Sequence, residues 1–237
     1  MGKDTEAVYT DGKWKFDEKV ADCFEDMLER SIPQYSVMRN AVFDLISNKL
    51  DAQGGIGYML DIGCSDGLSL KSFIKHYPNM NFIGIDCSEP MLQKARERFP
   101  NNYKVQFRNI DLRTDFPRNH FDVVTSVLSV MFVPIQYRQR IIQNVYDNLY
   151  ENGMFIMVEK VLGNSATLDD LMVSNYYKMK SDNGYTQEQI DRKKLALEGV
   201  QVPVTSNWNV DLLKQAGFRQ VDVFWRWMNF VGYIAIK

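Results

Sequence analysis

The sequence has few residues of the kinds that form disulfide frameworks or zinc sites. Its 237 residues include three cysteines, Cys23, Cys64 and Cys87, which are far apart and form no Cys-x-x-Cys motif, and two histidines. A disulfide scaffold needs several cysteine pairs, and a structural zinc site needs about four Cys or His ligands. We therefore expect neither a disulfide framework nor a metal site.

A large excess of one charge and a long apolar run are also missing. The formal net charge is −2, so the overall field does not favour a polyanion such as nucleic acid. The longest apolar stretch, residues 123–133, is interrupted by Thr125, Ser126 and Ser129, which is too polar for a membrane span. The first residues carry charges where a secretory signal needs an apolar segment. We expect a cytoplasmic protein without direct nucleic-acid or membrane partners.

What the sequence does contain is an alternation of strand and helix patterns. Five short apolar runs predict strands, at 58–61, 81–86, 104–107, 121–127 and 154–160. Segments with helical spacing of apolar residues separate them, at 68–77, 89–98 and 135–149. Such alternation predicts a doubly wound α/β fold with a mostly parallel sheet. Two aromatic-rich runs, 220–227 and 230–236, predict an antiparallel pair at its edge.

The flanks of this alternating region have a different character. We expect residues 1–13, which are polar and lack periodicity, to form a flexible tail, and residues 14–237 to form a single domain. Within it the sequence predicts an N-terminal helical lid, a ligand-binding core, a helical insertion, and a C-terminal helix with edge strands, at 14–53, 57–160, 165–200 and 207–237.

Helix patterns account for most of the lid and the insertion. The apolar spacing in the lid predicts a helix over 17–30, with Asp17 as its N-cap, and a second helix over 35–50. Further helices are predicted over 168–180, 186–198 and 209–216. The second of these begins with a capping box made by Thr186 and Gln189.

The rest of the chain is arranged around residues 61–67, DIGCSDG, which we call the glycine loop. Gly63 and Gly67 follow an apolar strand and come directly before a helical segment. Glycine has no Cβ and tolerates positive φ, so backbone N–H groups at such a turn can approach a ligand closely. Strand-to-helix turns also carry glycine for packing, and the residues that follow must decide between the two interpretations.

Acids recur at the ends of the first three predicted strands. Asp61 ends the first strand, Asp86 ends the second, and Asp111 lies just beyond the third. Ligands of open α/β sheets bind beyond the carboxyl ends of the strands, and an acid at the end of the second strand suits ribose hydroxyls. Any one of these acids is equally typical of a helix cap or a turn, but three in succession favour a nucleoside site.

This ordered set resembles the class I S-adenosylmethionine (SAM)-dependent methyltransferases over residues 57–160. Their loop has the form acid-x-G-x-G-x-G, with Ser65 here at the middle glycine, whereas dehydrogenases use G-x-G-x-x-G. The resemblance implies that the glycine loop surrounds the amino-acid end of SAM, that Asp86 binds the ribose, and that Ile110 and Asp111 lie beside the adenine. With their neighbours and with Tyr35, which the next resemblance implies, the candidate cofactor-binding residues are Tyr35, Asp61, Gly63, Cys64, Ser65, Gly67, Asp86, Cys87, Met91, Ile110, Asp111 and Ser126.

A narrower resemblance covers most of the chain. The carboxy-S-adenosylmethionine synthase family is similar over WKFDEKVADCFEDMLERSIPQYS, DIGCSDG, NGYTQEQIDRKKLALEGV and QAGFRQVDVFWRWMNF. Enzymes of that family convert SAM and prephenate to carboxy-S-adenosylmethionine for tRNA wobble-uridine modification. The resemblance implies a cofactor role for Tyr35 and places Lys194 where the family has an arginine that holds the extra carboxylate. Tyr35 and Lys194 are therefore the candidate catalytic residues.

Three functions remain open at this point. Lys194 holds a carboxylate as a point charge and not bidentately as arginine does, so we place a SAM-dependent methyltransferase acting on a small molecule first. A carboxy-S-adenosylmethionine synthase is the second hypothesis, and a non-catalytic SAM-binding module is the third. All three imply SAM as the cofactor, with carboxy-S-adenosylmethionine as the alternative.

The surroundings of the acceptor are predicted from aromatic and charged residues near the strand ends. Candidates to line the acceptor site are Tyr35, Tyr176, Tyr177, Tyr185 and Trp208. Glu159 and Lys160, at the end of the fifth strand, are expected to face the same opening. The aromatic run at 224–233 either forms a homodimer surface or packs under the N-terminal helices.

Overall fold

The computed structural model describes residues 12–237, so most of the predicted tail at 1–13 lies outside the described residues. The helices are α1 (Glu18–Asp22), α2 (Phe24–Ser31), α3 (Tyr35–Ala52), α4 (Lys71–His76), α5 (Glu89–Arg98), α6 (Ile135–Asn148), α7 (Ala166–Asp182), α8 (Gln187–Leu197) and α9 (Ser206–Gln215). The strands are β1 (Tyr58–Ile62), β2 (Asn81–Asp86), β3 (Val105–Asn109), β4 (Phe121–Val127), β5 (Leu149–Leu162), β6 (Val204–Thr205), β7 (Gln220–Trp227) and β8 (Phe230–Ile236).

The strands form a mixed sheet in the order β3-β2-β1-β4-β5-β8-β7, with the short β6 paired to β5. Strands β1 to β5 run parallel to one another, and β8 is antiparallel to both of its neighbours, β5 and β7. The order reverses beside β1, so the first two crossovers lead one way and the later ones the other. The predicted doubly wound α/β fold with an antiparallel edge is confirmed.

Both faces of the sheet are covered because its central strands are apolar on both sides. In β1, Met59 packs on the face covered by α3 and α4, and Leu60 packs on the face covered by α6 and α9. Val123 and Val124 of β4 divide between the two faces in the same way. This continuous burial is why the central strands read as unbroken apolar runs.

The predicted N-terminal helix over 17–30 is two helices in the structure. Asp17 caps α1 as expected, since its carboxylate accepts a hydrogen bond from the Val20 N–H at 3.1 Å. The helix stops at Cys23, whose φ of −120° and ψ of 15° are not helical. The break allows α1 to pack on α5 while α2 packs on α3. The apolar spacing continues across Cys23, so the pattern alone did not reveal it.

Two boundaries in the core also differ from the prediction. The helix expected over 68–77 begins as a 3-10 turn, Leu68–Leu70, because Asp66 accepts a hydrogen bond from the Leu68 N–H at 3.2 Å. The strand expected over 154–160 begins earlier, since β5 starts at Leu149 and includes Asn152, which takes a φ of 61° where the pairing with β4 shifts register. Such a residue makes a bulge in a continuing strand.

The C-terminal aromatic pair has the predicted bounds, but β8 lies inside the sheet and β7 forms the edge. Phe230 and Trp225 are buried in the cluster that contains Met38 and Val42 of α3. The aromatic run therefore packs under the N-terminal helices, which was one of the two predicted alternatives. No helix within residues 12–237 combines the length and the apolar character needed to cross a membrane.

Candidate active site

A cavity of about 980 Å³ lies at the carboxyl ends of the parallel strands. The glycine loop and the end of β2 form its floor, while α2 and α3 form one wall and α7 and α8 form another. The N-terminal segment, residues 12–17, crosses one side. In it the Trp14 N–H donates to the Ala196 carbonyl at 2.8 Å, and the Phe16 carbonyl accepts from the Ser88 hydroxyl at 2.6 Å. The cavity occupies the position where open α/β sheets bind ligands.

The glycine loop has the backbone conformation that its sequence predicts. Gly63 and Gly67 have φ values of 69° and 73°, and a Cβ at Gly63 would lie 2.0 Å from the Ser129 hydroxyl oxygen. Ser65 also has a positive φ, 49°. The serine at the middle position of the motif therefore keeps the left-handed conformation that glycine adopts most readily.

The Asp61 carboxylate lies beneath the glycine loop and is almost fully buried. It accepts a hydrogen bond from the Thr125 hydroxyl at 2.6 Å and a second one from the Ser69 hydroxyl. Burial raises the pKa of Asp61, and these two hydrogen bonds and the nearby Arg39 oppose that rise. Arg39 donates to the Ser69 carbonyl at 2.7 Å and lines the cavity. Asp61 thus joins β1 and β4 to the first turn after the loop.

Asp86 ends β2 and faces the cavity. One carboxylate oxygen accepts the Ser65 N–H at 3.0 Å and the other accepts the Ser88 N–H at 2.9 Å. Burial raises the pKa of this carboxyl, and the backbone N–H groups oppose the rise. Each carboxylate oxygen has a further lone pair, so Asp86 can accept the two hydroxyls of a ribose while it holds the loop.

Ile110 and Asp111 follow β3 and line the same floor. The Ile110 N–H donates to the Asp86 carbonyl at 2.9 Å, so the two strand ends are tied together. Asp111 forms a two-point ion pair with Arg113, with distances of 2.9 and 2.6 Å, and this pairing lowers the pKa of the Asp111 carboxyl. An apolar side chain beside polar groups suits the flat face and the edge of an adenine.

Of the other candidate cofactor residues, Tyr35, Cys64 and Cys87 line the cavity. Gly67, Met91 and Ser126 do not. A Cβ at Gly67 would meet Phe107 at 3.0 Å and Ala95 at 3.2 Å, Met91 is buried with the residues of α1 and α2, and Ser126 is buried in the middle of the sheet. These three residues lie behind the lining and support it.

Only some of the residues predicted to line the acceptor site lie at the cavity. Tyr176 and Tyr177 line the cavity, whereas Tyr185 is buried against the Ser31 hydroxyl at 3.0 Å, and Trp208 packs against the core on the far face.

The expectation that both Glu159 and Lys160 face the opening is wrong for Glu159. Successive residues of a strand point to opposite faces, and Lys160 lines the cavity while Glu159 is buried and accepts the Val130 N–H at 3.1 Å. Burial raises the pKa of Glu159 to about 8, and Arg138 opposes the rise.

The largest feature that sequence reasoning missed is that Lys180 and Lys193 join Lys160 at the cavity, and we call these three lysines the lysine cluster. Lys180 and Lys193 are 3% and 8% exposed. Within residues 12–237, none of the three forms an ion pair with a carboxylate. Lys194 is exposed and lies at the rim. The only sequence signal was a run of basic residues, Arg192 to Lys194, which is typical of a solvated helix face.

No group of three or more His, Cys, Asp or Glu side chains in the described part of the chain is placed to hold a metal ion. The floor fits SAM instead. Its close-packed loop leaves no room for a Cβ at Gly63, and the Asp86 carboxylate faces outward from the end of β2. Apolar contacts are available from Ile110 and Leu112.

Comparison with known sequences agrees with this geometry. Residues 59–153 match a methyltransferase domain family. The chain is 35% identical over 226 residues to a carboxy-S-adenosyl-L-methionine synthase of Nautilia profundicola, with 95% of each chain covered. It is 35% identical over 227 residues to the enzyme of that name from Methylococcus capsulatus, with 94% of this chain and 93% of the relative covered. The chain belongs to the carboxy-S-adenosyl-L-methionine synthase family.

Solved structures share the fold of this synthase family member. Human N-acetylserotonin methyltransferase in complex with SAM has a TM-score of 0.59 at 16% identity, covering 93% of this chain and 55% of that one. The plantazolicin methyltransferase BpumL with S-adenosylhomocysteine has a TM-score of 0.65 at 16% identity, covering 90% and 88%. The predicted family, the SAM-dependent transferase class and SAM as the cofactor are confirmed.

Proposed function

We propose that the protein is a carboxy-S-adenosyl-L-methionine synthase, in which one carboxylate of prephenate leaves as carbon dioxide and bonds to the methyl carbon of SAM. The displaced methyl proton and the prephenate hydroxyl leave as water, and the rest of prephenate becomes phenylpyruvate. Support comes from relatives of that name that match about the whole chain. The observation that carries the proposal is the cationic wall of the cavity, formed by the lysine cluster with Lys194 at the rim. Because the reaction brings a carboxylate in and leaves one on the product, it needs positive charge beside the sulfonium methyl.

The roles proposed for the floor follow from its contacts. The backbone of Gly63, Cys64 and Ser65 would surround the amino-acid end of SAM, and Asp86 would accept the ribose hydroxyls. Asp111, with its neighbour Ile110 and with Cys87, would border the adenine. Tyr35 would close the site from the α3 side. Asp61, whose carboxylate accepts hydrogen bonds from the Thr125 and Ser69 hydroxyls, would hold the loop in place.

Lys194 is the residue proposed to hold the product carboxylate. It lines the rim and forms no ion pair among the described residues. A lysine ammonium attracts a carboxylate without the two-point geometry of an arginine. The proposal therefore includes weaker retention of carboxy-S-adenosylmethionine than an arginine at this position would give.

Methyl transfer to a small molecule is the second candidate, and Lys194 is the observation that favours it. The sequence analysis ranked methyl transfer above the synthase, but the lysine cluster favours the synthase, so methyl transfer becomes the second candidate. Three ammonium groups that line one cavity attract an acid more strongly than a neutral acceptor. We retain a small-molecule co-substrate as the partner and propose no direct contact with nucleic acid, since the product would reach tRNA through another enzyme. The homodimer stays a prediction.

The experiment is to incubate the purified protein with SAM and prephenate and to analyse the soluble products by mass spectrometry. A product heavier than SAM by one carbon dioxide unit is expected, together with phenylpyruvate. Accumulation of S-adenosylhomocysteine with an added acceptor would support methyl transfer instead. Absence of turnover, with a melting temperature that still rises on addition of SAM, would leave the non-catalytic SAM-binding module and overturn the proposal.

A further inference from the structure

Three elements bring the lysine cluster to one end of the cavity. Lys160 comes from β5, Lys180 from the last turn of α7, and Lys193 from the middle of α8. All three side chains line the cavity that also contains Asp86 and the glycine loop. The cluster therefore shares one space with the cofactor floor.

Aromatic rings hold the three ammonium groups. The Lys160 Nζ lies 4.7 Å and the Lys180 Nζ 5.8 Å from the centre of the Tyr176 ring. The Lys193 Nζ lies 4.7 Å from the Trp14 ring. A ring face attracts a cation but accepts none of its strong hydrogen bonds. These contacts fix the positions of the ammonium groups and leave their N–H donors unsatisfied.

No acidic side chain of the described chain neutralises the cluster. Asp169 attracts Lys160, but its carboxylate already accepts the Gly163 N–H at 2.7 Å. Neighbouring surface cations are paired differently, since Lys178 bonds Asp182 at 2.9 Å. The three lysines of the cluster thus differ from Lys178, an exposed lysine of α7 that pairs with Asp182.

Burial and mutual repulsion act on the cluster in the absence of an anion. Burial lowers the pKa of Lys160 and of Lys180 to about 8. Burial lowers the pKa of Lys193 to about 7, and the positive charges of Lys180 and Lys160 lower it further. Burying unpaired cations costs free energy that a purely structural role would not require. A bound anion would offset this free-energy cost by pairing with the buried ammonium groups.

We propose that the lysine cluster binds the carboxylates of the acid that supplies the carboxyl group to SAM. Three cations in one chamber match an acid with two carboxylates, which prephenate has. Lys194, which is exposed at the rim, then remains for the carboxylate of the product. This assignment rests on the proposed function for the identity of the acid, but the anion site itself rests on the geometry of Lys160, Lys180 and Lys193.

The test measures prephenate binding to the full chain by calorimetry, without SAM, for the wild type, Lys180→Met and Lys193→Met. Loss of one charge-assisted contact is expected to weaken binding by about 10-fold or more. Lys178→Met, which removes an exposed lysine from the same helix, is the matched control and should leave the affinity unchanged. SAM affinity should be preserved in all of them.

Melting curves of the same proteins separate loss of binding from loss of folding. Because each variant removes an unpaired buried cation, the ligand-free melting temperature should stay equal to the wild type or rise. If a Met variant does not fold, Lys193→Arg should keep prephenate affinity and Lys193→Gln should lose it. Equal affinity of those two variants would overturn the site.

The outcomes distinguish this inference from the proposed function. One outcome is that wild-type protein binds prephenate, the cluster variants bind it more weakly, and no carboxylated SAM forms. The anion site at the lysine cluster then stands and the synthase proposal fails. If carboxylated SAM forms and the KM for prephenate is unchanged in Lys180→Met and Lys193→Met, the synthase proposal stands and the site fails. A wild type that binds no prephenate also overturns the site.

Discussion

The Asp86 carboxylate accepts a hydrogen bond from the Ser65 N–H at 3.0 Å, so the end of β2 and the glycine loop form one unit. A substitution at Asp86 therefore acts on both the ribose contact and the loop. The same carboxylate also holds the Ser88 N–H at the start of α5.

We predict that Asp86→Ala weakens SAM binding by about 10-fold to 100-fold, because it removes charge-assisted hydrogen bonds. Calorimetric titration with SAM checks this. Glu89→Gln, which neutralises an exposed carboxylate nearby on α5, is the control. Equal affinity of Asp86→Ala and the wild type would contradict the proposed position of the ribose.

Substitutions at Ser65 show whether the middle position of the glycine loop needs the left-handed backbone conformation that glycine adopts readily. Its φ of 49° lies in the left-handed region. We expect Ser65→Gly to keep SAM affinity and to change the free energy of unfolding by no more than about 1 kcal/mol, and Ser65→Val to lower stability and affinity together. Urea unfolding and SAM titration measure both quantities. A tolerated valine would show that the backbone conformation is not essential.

Lys194 determines how tightly the product is held under the proposed function. Lys194→Arg should bind carboxy-S-adenosylmethionine about 10-fold more tightly, because arginine pairs with a carboxylate at two points, while SAM affinity stays the same. Competition of the two cofactors, followed by mass spectrometry of the bound fraction, gives the ratio. Arg192→Lys is the control, since Arg192 pairs with Glu188 outside the cavity. An unchanged ratio would remove Lys194 from the carboxylate site.

The pH dependence of stability provides a test of the buried lysines without any ligand. The pKa of Lys193 is about 7 in the folded chain and about 10.4 when unfolded. Between these values the unfolded state binds more protons, so this lysine makes stability rise with pH, and its full cost applies below pH 7. Lys193→Met should therefore exceed the wild type in stability at about pH 7, and the difference should shrink toward about pH 10. A difference that does not vary with pH would mean that Lys193 is not held as an unpaired buried cation.

The sequence predicted the sheet and the cofactor floor because those features are local in the chain. Strand patterns, the glycine loop and Asp86 each lie within a few residues of the element that they define. The break at Cys23 was not predictable in that way, since it depends on which helices α1 and α2 contact. Glu159 was misplaced because neighbouring residues of a strand face opposite sides, and the sequence did not reveal which side held the cavity.

The lysine cluster was missed for a related reason. Consecutive helix residues point about 100° apart, so at most part of the run from Arg192 to Lys194 faces inward, and only the docking of α8 decides which part. Arg192 turns to Glu188 at the surface and Lys193 turns into the cavity. Composition and spacing cannot distinguish these two outcomes.

The N-terminal segment that crosses the cavity has a kinetic consequence. Its two bonds, from Trp14 to the Ala196 carbonyl and from the Ser88 hydroxyl to Phe16, join α8 to the start of α5. Since Trp14 also stacks on the Lys193 ammonium, a molecule on the floor and one in the lysine cluster lie under the same segment. Under the proposed function, we expect both substrates to exchange when this segment moves, so that their residence times follow the rate of the same conformational opening.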